Sequence, residues 1–170
     1  MNKLIQGIIF LFLLFFQVLV SNSISLWGII TPMVYIMFIL TLPFQMPKWQ
    51  VVSLGFIMGF SLDLFTGILG HHAAACVLIA FMRMPIIKLI PSHISFEEHL
   101  RPIFWDMHFS WYVQYSFYLT LIHHVFYFFL DSMSFHNFFL VLGIAFLNSF
   151  ASVLFILIFQ ILFYKASKRY

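Results

Sequence analysis

Two pairs of adjacent histidines and one isolated carboxylate are the residues of this chain that could do chemistry. The pairs are His71-His72 and His123-His124, and Asp63 lies inside an apolar run. Imidazole and carboxylate groups bind zinc, and intramembrane histidines bind haem iron. The side chains of adjacent residues on a helix point about 100° apart. The two histidines of a pair therefore do not readily bind the same metal ion, and each pair supplies at most one ligand to a given site. Because HExxH and CxxCH motifs are absent, we predict no metal and no cofactor. A haem or metal protein using these four histidines remains an alternative.

A stripe of small residues surrounds the carboxylate. Gly55, Gly59, Asp63 and Gly67 are spaced by four, so they follow one face of a helix. Small residues at this spacing let a second helix approach closely. A carboxylate in an apolar segment is costly to bury and is by default a candidate functional residue. We interpret Asp63 as a hydrogen-bond anchor for a neighbouring helix, with transport or proton relay as the alternative.

Polar side chains recur at helical spacing in the last two apolar segments. Ser116, Thr120 and His124 are spaced by four, and Asn148 and Ser152 are one turn apart. Hydroxyl, amide and imidazole groups hydrogen-bond between membrane helices. We therefore predict that these residues, His124 included, join neighbouring helices.

The composition indicates which elements position these residues. Of the 170 residues, 64% are apolar and 8% are charged, against about 25% charged in a soluble domain. The mean hydropathy is +1.06. A soluble chain of this length could not bury so much apolar surface. Backbone groups in lipid must bond within their own segment, which predicts an all-α, polytopic membrane bundle. The few, scattered basic residues do not indicate a nucleic-acid partner, and the single Cys76 excludes an intramolecular disulfide.

Six apolar segments are long enough to cross a bilayer, which takes about 17–25 residues, and the sixth is longer, so it can tilt or project from the bilayer. They make residues 1–170 one transmembrane domain, with predicted spans at about 4–20, 24–42, 49–69, 71–90, 109–130 and 137–164. The first is longer than a signal-peptide core, so we expect it to be retained. Pro32 should kink the second span. Arg83, late in the fourth, should extend its side chain to the lipid headgroups.

The basic residues predict the orientation of the bundle. All eight lie in the two termini, in the 2–3 and 4–5 loops, or in the adjoining end of the fourth span. With six spans these regions share one side of the membrane. The positive-inside rule therefore places both termini in the cytoplasm.

The run Gly55-x3-Gly59-x3-Asp63-x3-Gly67-x2-Gly70 resembles the central signature of the rod shape-determining protein MreD family, in its Bacteroidetes-type form. The proline-interrupted second span and the His123-His124 pair are also similar to that form. The resemblance implies a non-catalytic scaffold of the bacterial inner membrane, in the rod complex (elongasome) that controls cell shape through peptidoglycan synthesis. It implies MreC as the first partner, and MreB, RodA and a penicillin-binding transpeptidase as further ones.

The resemblance also implies a mode of binding and an alternative function. As a scaffold, the chain would receive a partner helix, first of all the transmembrane segment of MreC, in the groove lined by Gly55 and Gly59. The family's bundle is similar to the substrate-binding subunits of energy-coupling-factor vitamin transporters. Such a subunit is the main alternative, and the haem or metal protein is the second.

Overall fold

The computed structural model of the protein describes residues 3–19, 30–68, 70–91, 101–133 and 137–164. Helices make up 79% of these residues, which confirms the predicted all-α architecture for this part of the chain. The described helices are α1 (Lys3–Leu19), α2 (Ile36–Leu40), α3 (Lys48–Thr66), α4 (His71–Leu89), α5 (Phe109–Ser132) and α6 (Phe138–Phe163).

The turn between α3 and α4 is built on two glycines. Gly67 ends α3 in the left-handed region, with φ of +72°, and Gly70 precedes α4 with φ of +93°. Residues with a Cβ rarely adopt these angles, whereas glycine adopts them readily. A Cβ on Gly67 would meet nothing within 4 Å. Gly67 therefore ends the helix and is not part of the packing stripe, contrary to the sequence prediction.

The helices enclose an irregular segment of the chain. Helices α3, α4, α5 and α6 pack consecutively, each against the next, and α1 packs on α3. The ring of Phe16 on α1 also meets that of Phe159 on α6, with centroids 4.8 Å apart. Residues 32–42 are buried without a break. The core of the bundle is therefore formed around this segment.

The predicted second span is not a continuous helix. Within the described residues of 24–42, α2 covers five, Ile36–Leu40, and residues 30–35 are not helical. Residues 24–29 lie outside the described ranges. Pro32 lacks an N–H donor and disfavours the helical conformation of Thr31, so it interrupts the helix where a kink was predicted. Irregular backbone at membrane depth is tolerated where protein surrounds it, which accounts for the burial of this segment.

The outer surface of the bundle is apolar. Large side chains such as Phe139 and Leu162 are exposed by 85% and 68%, as expected of helices that face lipid. Among the described residues, three helices, α3, α4 and α6, are long and apolar enough to cross a membrane, and α1 is a shorter apolar helix. The chain is thus compatible with a membrane bundle, while six crossings and cytoplasmic termini stay predictions.

Candidate functional site

The glycine stripe lies against α4 of the same chain. A Cβ built on Gly59 would be 2.5 Å from the Cα of Ala73, and one on Gly55 would be 3.1 Å from the carbonyl oxygen of Cys76. The two helix backbones are therefore in direct contact at both glycines. The groove that was predicted to receive a partner helix is filled by α4 of the same chain.

Asp63 joins α3 to the first turn of α4. Its Oδ1 accepts hydrogen bonds from the backbone N–H of His72, at 3.0 Å, and from His72 Nδ1, at 2.9 Å. Its Oδ2 accepts the backbone N–H of Ala73 at 3.0 Å. The first N–H groups of a helix have no partner inside it, and they form the positive end of its dipole. Gly70 has no side chain to cap them. The buried carboxylate of Asp63 is thus the N-terminal cap of α4, supplied by the neighbouring helix.

Two further histidines of the adjacent pairs, His123 and His71, contact different partners. His123 Nε2 lies 2.9 Å from the hydroxyl of Tyr35. His71 Nδ1, near the end of the bundle, lies 3.8 Å from Asp131 Oδ1. Tyr127 separates the pairs, because its ring is 4.7 Å from that of His72 and 6.2 Å from that of His123. Across the described ranges, no three His, Cys, Asp or Glu side chains are grouped to hold a metal ion.

Side chains from two helices satisfy the backbone of the irregular segment. On one side, Gln17 of α1 accepts the N–H of Val34 at 2.8 Å and donates to the carbonyl of Pro32 at 3.2 Å. On the other side, Asn148 of α6 accepts the N–H of Thr31 at 2.8 Å. A buried backbone group without a partner is costly, so these amides replace the bonds that a helix would have made.

His124 completes this network through Ser152. The Ser152 hydroxyl accepts the backbone N–H of Met33 at 2.9 Å and lies 3.2 Å from His124 Nε2. His124 Nδ1 lies 2.8 Å from the carbonyl oxygen of Thr120, which can only accept. Nδ1 therefore carries the proton, and in the neutral ring Nε2 accepts from the Ser152 hydroxyl. His124, Asn148 and Ser152 thus make contacts between elements, whereas Ser116 bonds carbonyls of its own helix.

Arg83 lies inside the bundle and does not extend to the headgroups. It is 1% exposed, and Nη2 donates to the carbonyl oxygens of Leu42 and Pro43. Its Nε donates to the Tyr115 hydroxyl at 3.0 Å, which in turn donates to the carbonyl of Leu40 at 3.0 Å. None of the ion pairs found among the described residues includes Arg83. The cation is balanced by the carbonyl groups that follow α2, at the negative end of that helix.

Two glutamines are site residues that the sequence analysis missed, whereas Arg83 was noted there but assigned to the wrong environment. Gln17 and Gln160 are buried polar residues in the first and last apolar segments. Gln160 accepts the N–H of Phe104 at 2.8 Å and so attaches the segment before α5 to α6. An amide inside an apolar run is itself a signal, because an unsatisfied polar group in lipid is costly.

Comparison with protein-family models, with curated proteins and with solved structures gives no match for this chain. The family resemblance of residues 55–70 therefore stays a prediction.

Proposed function

We propose that this chain is a non-catalytic scaffold of the bacterial inner membrane that assembles the cell-wall elongation machinery. The observation that carries the proposal is the position of Asp63. Its carboxylate, 0% exposed, accepts three hydrogen bonds from α4. A carboxylate used in this way fixes two helices together, which supports a binding function more than proton or ion transport.

The other buried polar groups support the same interpretation. Gln17 and Asn148 bond the backbone of the irregular segment, and Arg83 bonds the carbonyl groups after α2. These bonds fix α1, α4 and α6 relative to the core, as a rigid binding body requires. Because α4 covers Gly55 and Gly59, the scaffold would bind partner helices on its lipid-facing surfaces.

The test is affinity capture of the full-length chain from native membranes in a mild detergent. We expect MreC to co-purify, with RodA and the penicillin-binding transpeptidase as further partners, and MreB through the complex. Depletion of the chain should convert rod-shaped cells to rounded ones. Capture that yields no elongation protein, together with normal shape after depletion, would overturn the proposal.

Three other outcomes would identify the alternatives. Co-purification of an ATPase module and a vitamin would indicate a transporter subunit. A strong Soret absorption band, lost in His71→Ala or His124→Ala, would indicate a haem protein, and elemental analysis giving one metal ion per chain would indicate a metal site. For the scaffold we expect no Soret band and well under one metal ion per chain.

A further inference from the structure

Two buried polar atoms occupy neighbouring positions on α5. They are the hydroxyl oxygen of Thr120 and Nδ1 of His123, and both residues are 0% exposed. Neither atom has a hydrogen-bond partner in the part of the chain that the structure describes. A buried polar atom without a partner is costly, and ordered water commonly satisfies such atoms inside folded proteins. The two atoms therefore need a partner that the side chains around them do not supply.

The contact between His123 and Tyr35 decides which hydrogen-bonding role Nδ1 has. The Tyr35 hydroxyl lies 2.9 Å from His123 Nε2 and 3.6 Å from the sulfur of Met33. A thioether sulfur is a weak acceptor, whereas the unprotonated nitrogen of an imidazole is a good one. The hydroxyl therefore donates to Nε2, and the neutral His123 ring carries its proton on Nδ1. The unpartnered atom of His123 is thus an N–H donor.

The spacing of the two residues fits a bridge through one small molecule. Residues three apart on a helix have Cβ atoms roughly 5–6 Å apart. Thr120 Oγ1 and His123 Nδ1 do not bond each other. A water oxygen that bonds to both atoms spans up to about 5.6 Å, which matches this spacing. Water commonly bridges polar groups that are too far apart for a direct bond.

We propose that an ordered water molecule binds between Thr120 and His123. The water accepts the Nδ1–H of His123 and donates to the hydroxyl oxygen of Thr120. It thereby fixes the orientation of the His123 ring, whose other nitrogen bonds the Tyr35 hydroxyl. Because Tyr35 belongs to the irregular segment, the water adds α5 to the elements whose side chains hold that segment in place.

The surroundings of His123 select water over a metal ion or a larger ligand. An N–H donor cannot coordinate a cation. The rings of Tyr35, His124 and Tyr127 have centroids 5.5, 5.5 and 6.2 Å from that of His123. A ligand much larger than water would displace these rings, whereas a single water needs only two to four polar partners.

The first measurement is nuclear magnetic resonance of the full-length chain in detergent, isotope-labelled at its histidine nitrogens. We expect the His123 proton on Nδ1, with magnetisation transferred to it from water. His124 is the matched control, because its Nδ1 donates to the carbonyl oxygen of Thr120 at 2.8 Å and should receive no transfer. The His123 signal is assigned by its loss in His123→Gln.

Two variants of Thr120 test whether its hydroxyl holds the water. Thr120→Ser keeps the hydroxyl, and it should keep the transfer from water to His123. Thr120→Val has the shape of threonine without the hydroxyl, and it should abolish that transfer. The signal of His124 should stay unchanged in both variants, since its partner is the backbone carbonyl of residue 120.

Thermal unfolding gives a second readout, whose sign depends on whether the hydroxyl has a partner. With the water bound, Thr120→Val should unfold roughly 2–4 °C below the unmodified chain, the shift that losing one ordinary hydrogen bond gives at this chain length. Without a partner, the hydroxyl is a buried unsatisfied group, and valine should raise the unfolding temperature. Thr66→Val is the control, because its hydroxyl donates to the Leu62 carbonyl in its own helix at 2.9 Å, and its effect should be smaller.

A higher unfolding temperature in Thr120→Val would overturn the proposal, as would a His123 proton found on Nε2. So would the absence of transfer from water to His123 in the unmodified chain. Transfer that persists in Thr120→Val would mean that the water is not bound to this hydroxyl. Equal transfer to His123 and His124 would mean that water enters the bundle generally, and would likewise rule out the site.

Discussion

The carboxylate of Asp63 and the backbone N–H of Ala73 are hydrogen-bonded at 3.0 Å, although they belong to different helices. The bond lies beside the glycine contact, because a Cβ on Gly59 would strike Ala73. Close approach of the backbones and capping of α4 therefore depend on each other. A substitution at Asp63 or at Gly59 therefore disturbs the packing of the same two helices, α3 and α4.

Replacing Asp63 with asparagine should destabilise the bundle despite the similar shape of the two side chains. The carboxylate accepts three bonds through two oxygens, whereas an amide has one acceptor and would turn its NH2 towards an N–H donor. Each buried donor left without a partner costs about 1–3 kcal/mol. Asp63→Leu should cost more, because it leaves all three donors unsatisfied. Thermal unfolding in detergent measures both variants. An Asp63→Asn protein of normal stability but without function would instead favour a proton or ion site.

A glycine-to-alanine series should separate close contact from helix propensity. Gly59→Ala should destabilise most, by about 1–3 kcal/mol, since its Cβ would overlap the α4 backbone. Gly55→Ala should cost less, because its Cβ would be 3.1 Å from an oxygen and 3.2 Å from Ala80 Cβ. Gly143→Ala is the matched control on α6, where a Cβ meets nothing within 4 Å. It should stabilise slightly, since glycine weakens a helix by roughly 0.5–1 kcal/mol. Equal effects at the three positions would contradict direct backbone contact.

The sequence predicted the helical class and the role of Asp63, but not the path of residues 30–42. Composition and the length of the apolar runs indicate membrane helices whatever the tertiary contacts. The four-residue spacing of Gly55, Gly59 and Asp63 indicates that another helix packs closely against this face. The structure contains this close contact. The spacing does not indicate which helix makes that contact, and α4 of the same chain takes the place expected for a partner.

Arg83 and Pro32 show why the rest could not be predicted. An arginine near a span end is as compatible with a headgroup contact as with a buried one. The choice depends on the carbonyl groups of Leu42 and Pro43, which lie beyond the short helix α2 and accept hydrogen bonds from the guanidinium. The second span is interrupted at Pro32, and the non-helical backbone there is stable because Gln17 and other side chains distant in sequence bond to it. Contacts between residues so far apart in sequence cannot be read from a local sequence pattern.

Removing the charge of Arg83 should destabilise the protein strongly. Arg83→Met keeps the length of the side chain but removes the guanidinium bonds to the carbonyl oxygens of Leu42 and Pro43 and to the Tyr115 hydroxyl. Hydrogen bonds to charged groups contribute about 1.5–3 kcal/mol, so we expect a loss in that range or above. Lys88→Met, at an exposed position five residues later on α4, is the control and should unfold near the temperature of the unmodified chain. If Arg83→Met unfolds like the control, the side chain is not a structural link.

Reporter fusions test the predicted topology. A reporter after Tyr170 should be cytoplasmic, because all eight basic residues share one side in the six-span arrangement. Reporters near Asn22 and Ser134 should be periplasmic. The interrupted second span makes the Asn22 fusion the most informative, since a short helix in a buried segment need not carry the chain across. A cytoplasmic Asn22 reporter or a periplasmic C-terminus would contradict six crossings.

Two buried serines on α6 test whether side chains replace the missing helical bonds of the irregular segment. Ser152 accepts the N–H of Met33 at 2.9 Å, whereas Ser149 donates to the carbonyl of Ala145 in its own helix at 2.6 Å. Both are 0% exposed, so alanine removes the same atoms at the same burial.

Ser152→Ala should lose about 1–3 kcal/mol, because it leaves the N–H of Met33 and the lone pair of His124 Nε2 unsatisfied. Ser149→Ala should change stability little, since the Ala145 carbonyl accepts its helical bond as well. The measurement is the unfolding temperature of each variant in the same detergent, with hydrogen exchange at Met33 as the local readout. Faster exchange at Met33 in Ser152→Ala, and unchanged exchange in Ser149→Ala, would place the loss at the irregular segment. Equal losses in the two variants would mean that the hydroxyl of Ser152 does not hold this backbone in place.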